Sequence, residues 1–276
     1  MNFGFYRQII YTLIFILVLA LPGFSAQVDS ISTYSSAMKK TIKAVVVLPQ
    51  DYNNGKSYPV VYLLHGYSDT YSKWVNTVPA IKAHADQLKI IIVCPDGNGS
   101  SWYFDSPIDP KWRYETYITK ELVPHIDKRY RTINNRKGRA ITGLSMGGHG
   151  ALYLAIKHQD LFSAAGSMSG GVDIRPFPDS WSIKERLGSY HENPDRWTAN
   201  SVIEMTHLIK PGNLALIIDC GKDDFFYRVN VALHEKLMYQ NIPHDFIIRP
   251  GEHNWAYWAN SIAFQLLYFN NLFNNL

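Results

Sequence analysis

Gly143-Leu144-Ser145-Met146-Gly147-Gly148 stands where a short apolar run, Gly138-Arg139-Ala140-Ile141-Thr142, gives way to the Ala/Leu-rich stretch His149-Gly150-Ala151-Leu152-Tyr153-Leu154-Ala155. A buried strand entering a Gly-x-Ser-x-Gly turn and leaving as a helix is the setting of a nucleophile elbow. Glycines two before and two after the serine remove the Cβ atoms that would collide at so sharp a corner. Ser145 is therefore a candidate nucleophile, and the Met146 N–H at the helix start is a candidate donor to an oxyanion formed beside it.

A serine hydroxyl needs a base, and the base needs an acid to orient it. Of the ten histidines, only His253 follows the last strand-like run, Phe246-Ile247-Ile248, in a glycine-bearing loop. His84, His125, His158, His207 and His234 fall in helix-like stretches. His149 sits one turn past the serine, His191 in an irregular segment, and His244 before a strand rather than after one. The run Leu214 to Asp219 leads into Cys220-Gly221-Lys222-Asp223-Asp224-Phe225, so two adjacent acids compete. They cannot both face one imidazole: one accepts the His253 Nδ1–H and the other caps a helix or meets solvent. Val61-Tyr62-Leu63-Leu64-His65-Gly66-Tyr67 ends a further strand in a His-Gly turn, whose Tyr67 N–H supplies a second oxyanion donor. His65 and Gly66 border the expected substrate site; His65 lies on the wrong strand for a base and reads as a structural hydrogen-bonding residue.

These loops need a scaffold that brings strand ends together. Strand-like runs recur at Thr41 to Leu48, Val60 to Leu64, Ile90 to Val93, Arg139 to Thr142, Ala164 to Met168, Leu214 to Asp219 and Phe246 to Ile248. Several lack polar alternation, as expected of parallel strands covered on both faces. Helices are expected around Val78 to Gln87, Tyr114 to Tyr130, Gly148 to His158, Arg228 to Asn241 and Trp255 to Asn270, giving one α/β domain over 27–276 with a doubly wound sheet. Gly171 to Pro211 is too long for a simple connection and is rich in Pro and Trp, so it reads as a small cap over Ser145.

Residues 1–26 carry Arg7, an apolar run from Ile9 to Leu21 and then Pro22-Gly23-Phe24-Ser25-Ala26, the pattern of a secretory signal peptide cleaved after Ser25 or Ala26. A periplasmic or secreted protein with no lasting membrane anchor is expected. The formal charge of +4, one unit of it from Arg7, comes without Lys/Arg clusters and argues against nucleic acid as a partner. Cys94 and Cys220 end two different strand-like runs and read as buried free thiols; neither metal nor cofactor is indicated.

Leu64-His65-Gly66 with Trp74, Ser101-Trp102-Tyr103, the Ser145 motif, Cys220-Gly221-Lys222-Asp223-Asp224-Phe225 and Gly251-Glu252-His253-Asn254-Trp255 together resemble the esterase D group of α/β-hydrolases. The group includes S-formylglutathione hydrolases, feruloyl and acetyl esterases of plant cell-wall sugars and, more distantly, mycolyltransferases. The resemblance implies an eight-stranded sheet in the order 1-2-4-3-5-6-7-8. In that order Cys94 and Cys220 would sit four strand spacings apart, roughly 19 Å, too far to bridge. It further implies nucleophile Ser145, base His253, oxyanion donors Tyr67 and Met146, and Asp224 rather than Asp223 as the acid closing a Gly-x-x-Asp turn. Tyr67 after His-Gly and the export signal depart from the cytosolic S-formylglutathione hydrolases. The expected activity is therefore an exported serine carboxylesterase acting on acetyl or feruloyl esters of carbohydrate. Thioester hydrolysis or acyl transfer is the alternative, and a non-catalytic carbohydrate-binding protein a third. Tyr67, Trp102, Tyr103, Trp181, Trp197 and Trp255 offer aromatic surfaces for a sugar ring or a hydroxycinnamoyl group. A homo-oligomer is compatible with all three readings.

Overall fold

A computed structural model describes residues 26–52 and 55–275. The segment read as a signal peptide lies outside the described residues, apart from Ala26. Eight strands form one sheet in the order β1-β2-β4-β3-β5-β6-β7-β8. They are β1 Gln27–Ser35, β2 Lys40–Leu48, β3 Val60–Leu64, β4 Ile91–Pro95, β5 Arg139–Gly143, β6 Ala164–Met168, β7 Ala215–Gly221 and β8 Asp245–Arg249. β1 and β2 pair antiparallel, as do β2 and β4, and every pairing from β4 onward is parallel. This is the α/β-hydrolase architecture. β1 was not expected from hydrophobic pattern. In Gln27–Ser35 exposed residues alternate with Ile31, Thr33 and Ser35, and two of those three inward side chains are polar.

Why the inner strands read as unbroken apolar runs follows from their two covered faces. Along β3, Val60, Tyr62 and Leu64 enter one core while Val61 and Leu63 enter the other. The first core is closed by α3, α4 and α7. α3 runs from Tyr114–Thr116 through a π-helical stretch, Tyr117–Leu122, into Val123–Arg129; α4 is Met146–Lys157 and α7 is Tyr227–Tyr239. The second is closed by α1 (Lys73–Thr77), α2 (Ala80–Leu88) and α8 (Trp255–Phe273). Full burial of each such Val, Leu or Ile stabilises the fold by about 1.5–3 kcal/mol. Cys94 and Cys220 are both buried free thiols, and burial pushes the Cys94 thiol up to about 12.

Residues 171–211 form an irregular layer built from α5 (Lys184–Leu187), α6 (Pro194–Ala199) and two 3-10 turns, Val202–Glu204 and Thr206–Leu208. It is pinned to the sheet-bearing body by side-chain donors of the body that bond its backbone carbonyls. Trp102 Nε1–H donates to the Trp181 carbonyl at 3.0 Å, Ser106 Oγ–H to the Arg186 carbonyl at 2.7 Å, and His149 Nε2–H to the Asn200 carbonyl at 2.8 Å.

His149 makes this anchor pH-sensitive. Burial holds its ring near a pKa of about 4, against 6.5 ordinarily. Between those values the unfolded chain binds the proton and the folded chain does not, so stability is lost as pH falls from about 6.5 towards 4, by up to about 3 kcal/mol. Urea unfolding at pH 7.5 and pH 5 should show this loss in the wild type and a shallower one in His149→Gln, which keeps an N–H for Asn200. Equal slopes would show that His149 titrates normally.

Candidate active site

The chain turns through Ser145 at the carboxyl end of β5 with φ 52° and ψ −118°, a conformation that L-residues rarely adopt. Neighbouring bonds impose it. Ser145 N–H donates to the Met168 carbonyl at 2.9 Å, Gly147 N–H to Leu144 at 2.7 Å and His149 N–H to Ser145 at 3.0 Å. A Cβ at Gly143 would stand 2.6 Å from Gly147 backbone, and one at Gly147 would stand 2.6 Å from the His65 and Leu64 carbonyl oxygens. Both glycines of the motif are thus required by close packing between the elbow and the end of β3. As first residue of α4, Met146 has an N–H with no intrahelical acceptor.

Two further strand ends bring the other groups to Ser145. The Ser145 Oγ–H lies 2.9 Å from His253 Nε2, and the His253 Nδ1–H donates to Asp224 Oδ2 at 2.8 Å, with Oδ1 at 3.0 Å. Asp224 Oδ1 also accepts the Phe226 N–H at 2.7 Å, which fixes the carboxylate plane. Asp223 is exposed; its backbone N–H donates to the Gly251 carbonyl at 3.0 Å, while Lys222 N–H donates to Arg249 at 2.9 Å. Those two bonds tie the loop after β7 to the loop after β8, and so hold Asp224 and His253 in register.

Beneath them lies a buried polar cluster that the sequence pattern did not reveal. The Asp219 carboxylate, on β7, accepts from Arg249 Nη2 at 2.6 Å, from Ser261 Oγ at 3.2 Å and from the Tyr257 hydroxyl. Burial pushes the Asp219 carboxyl up from its ordinary range. The cluster joins β7, β8 and α8 on either side of the His253 loop, and it is assembled by the β7–β8 pairing together with the packing of α8 on the sheet.

The aromatic residues expected to face substrate divide into two groups. Trp197 is fully buried inside the cap layer, its indole N–H donating to the Gly188 carbonyl at 3.0 Å. Tyr103 is also fully buried and its hydroxyl donates to the His65 carbonyl. Trp102 is buried between His149 and Trp181. Trp102 spans the body–cap junction, Tyr103 is seated within the body and Trp197 within the cap layer; none offers a free face, so the substrate-contact expectation is corrected for all three. Trp255 is half-buried against Trp74, ring centroids 5.0 Å apart, whose own indole N–H donates to the Leu64 carbonyl. His65 is buried with both ring nitrogens engaged by backbone, Nδ1 with the Gly66 carbonyl and Nε2 with the Gly97 N–H, each at 2.8 Å. It too has nothing left for a ligand. Gly66 packs against the elbow: a Cβ there would stand 3.6 Å from Ser145 Cβ.

Tyr67 and Trp181 remain accessible. Tyr67 is 36% exposed and its hydroxyl lies 3.4 Å from Ser182 Oγ in the cap layer. Trp181 stacks on Phe225, centroids 5.6 Å apart and planes 17° from parallel, and Phe225 in turn lies 4.1 Å from the His253 ring. Phe225, 54% exposed, is not singled out by the sequence, nor are Phe226 and Trp258, whose rings meet His253 edge-on at 5.4 and 4.9 Å. Their signal was present as the Phe-Phe pair directly after Asp224 and as an aromatic one helical turn beyond Trp255. A groove of about 630 Å³ lined by Lys210, Leu214, His244 and Tyr268 opens at the amino ends of β7 and β8, opposite the end that carries Ser145.

The model of the Esterase family matches residues 35–269. The chain belongs to the esterase family. The solved structure of a ferulic acid esterase superposes with a TM-score of 0.79 at 30% sequence identity, covering 91% of this chain and 100% of that one. The diacylglycerol acyltransferase/mycolyltransferase Ag85B of Mycobacterium leprae is 28% identical over 86% of this chain and 81% of that protein. Esterase Rv1288 of Mycobacterium tuberculosis is 38% identical over 134 residues, 47% of this chain but 29% of that protein, so the esterase spans less than a third of that relative.

Proposed function

We propose that this esterase is an exported serine carboxylesterase that removes feruloyl or acetyl groups from carbohydrate through an acyl-enzyme. The observation that carries the reading is the hydrogen-bonded line from Ser145 Oγ through His253 to Asp224 on a strained elbow. Ser145 Oγ attacks the ester carbonyl as His253 Nε2 takes its proton, and the Asp224 carboxylate stabilises the imidazolium. The tetrahedral oxyanion is held by the Tyr67 and Met146 N–H groups. Collapse expels the alcohol, which leaves with the proton from His253. Water, deprotonated by His253, then attacks the acyl-enzyme and releases the carboxylic acid and free Ser145. The apolar segment Ile9 to Leu21 supports export, and the ferulic acid esterase likeness supports the acyl group.

The Trp181–Phe225 stack beside His253 is the surface on which an aromatic acyl group would lie. Each such ring pair contributes about 0.5–1.5 kcal/mol, so Phe225→Ala is expected to raise KM for methyl ferulate roughly three- to tenfold while leaving that for p-nitrophenyl acetate within about twofold. Equal effects on both substrates would remove the wall from acyl recognition.

Initial rates on methyl ferulate, acetylated xylan, short p-nitrophenyl esters and S-formylglutathione test the substrate class. Preference for the thioester would overturn it. Transfer of the acyl group to an added alcohol or sugar, in excess over free acid, would overturn hydrolysis in favour of the acyltransferase reading that the Ag85B likeness supports.

A further inference from the structure

We infer that His65 is a positioning residue for the oxyanion donor Tyr67, acting through the peptide between Gly66 and Tyr67. The inference rests on the reading of Ser145 as nucleophile. In a trans peptide the N–H points opposite to the carbonyl of the preceding residue, so whatever holds the Gly66 carbonyl also aims the Tyr67 N–H. Two donors hold it: the His65 Nδ1–H at 2.8 Å and the Asp69 N–H at 3.3 Å. His65 can donate from Nδ1 because its Nε2 is engaged as acceptor of the Gly97 N–H at 2.8 Å. One ring thus reads the β4 loop with one nitrogen and sets the β3 loop with the other.

The ring itself has no freedom to drift. It is 1% exposed, packs edge-on to Tyr103 at 6.2 Å, and its own backbone carbonyl accepts the Tyr103 hydroxyl at 3.2 Å. Gly66 lies directly against the Ser145 elbow, so a rotation of the Gly66–Tyr67 peptide would redirect an N–H beside the reacting serine rather than at a distance from it. The geometry therefore assigns separate tasks to the two ring nitrogens: Nδ1 to the donor's direction, Nε2 to the stability of the β3–β4 loop contact.

Asparagine and glutamine separate those tasks. An asparagine amide nitrogen falls near the Nδ1 position and can donate to Gly66, whereas a glutamine oxygen falls near Nε2 and can accept from Gly97. His65→Asn is expected to keep kcat on p-nitrophenyl acetate within about threefold and to lower the melting temperature. His65→Gln is expected to keep the melting temperature and to lose kcat by roughly 10- to 100-fold, with KM changed less than about twofold, since a misaimed oxyanion donor acts on the transition state alone. Equal kcat in the two variants, or losses that track melting temperature, would reduce His65 to a packing residue and overturn the inference. Failure of the underlying site is read separately: a wild-type protein not labelled at Ser145 by a fluorophosphonate would refute the nucleophile, whatever the His65 variants do.

Discussion

Ser145→Ala is expected to lower kcat on p-nitrophenyl acetate by 10⁴- to 10⁶-fold and to abolish fluorophosphonate labelling, with the fold intact. On the proposed mechanism the Oγ forms the acyl-enzyme, and it lies 2.9 Å from His253 Nε2. A small residual rate over water is expected, because the Tyr67 and Met146 N–H groups and the aromatic wall survive the substitution. Stability should respond differently to glycine than to alanine. Ser145 is held at φ 52° and ψ −118° by the Met168, Leu144 and Ser145 carbonyl bonds around the turn, and alanine inherits that strain. Ser145→Gly releases it and should raise unfolding free energy by about 1 kcal/mol while being as inactive as alanine. Retained ester hydrolysis in either variant would remove Ser145 from the chemistry.

The second large effect is expected at Asp224. Asp224→Asn should cost about 10⁴-fold in kcat, whereas Asp223→Asn should cost less than about twofold. Asp224 Oδ1 accepts the Phe226 N–H at 2.7 Å, and in asparagine the single oxygen would be claimed by that donor. The amide NH2 would then face His253 Nδ1, which must become an acceptor, and the ring proton would move to Nε2. There it meets Ser145 Oγ as a donor and cannot take the serine proton. Asp223 is exposed to solvent. Steady-state rates of the two variants decide the matter: loss in Asp223→Asn with activity in Asp224→Asn would reverse the assignment.

Adjacent acids of this kind show where local sequence stops being informative. Both follow β7, both are preceded by Gly221, and their separation by one residue turns one inward and one outward only once the loop's path is known. That path is set by Lys222 and Asp223 N–H bonds to the carbonyls of Arg249 and Gly251, partners 27 and 28 residues away along the chain. Resemblance to the esterase D group pointed to Asp224, but the physical selection is tertiary. The aromatic residues illustrate the same limit. Trp102, Tyr103 and Trp197 look like Trp181 as isolated aromatics in the sequence, yet their polar atoms meet buried backbone carbonyls, of the cap for Trp102 and Trp197 and of the body for Tyr103. Trp181 instead stacks on Phe225 at the edge of His253.

Local pattern alone carried the elements whose burial is symmetric. Strands covered on both faces appear as apolar runs, and Gly-x-Ser-x-Gly between such a run and an Ala/Leu helix marks the elbow, since only glycine fits against the carbonyls of Leu64 and His65. The order of serine, acid and histidine, each after its own strand, was visible for the same reason. β1 was not, because an edge strand with polar residues on both faces has no hydrophobic period to read. The choice of acid, the Asp219 cluster and the burial of Trp102 and Tyr103 rest on contacts between residues 29 to 79 apart. Sequence determines which residues stand at the strand ends; the packing of those ends against each other decides which atoms face Ser145.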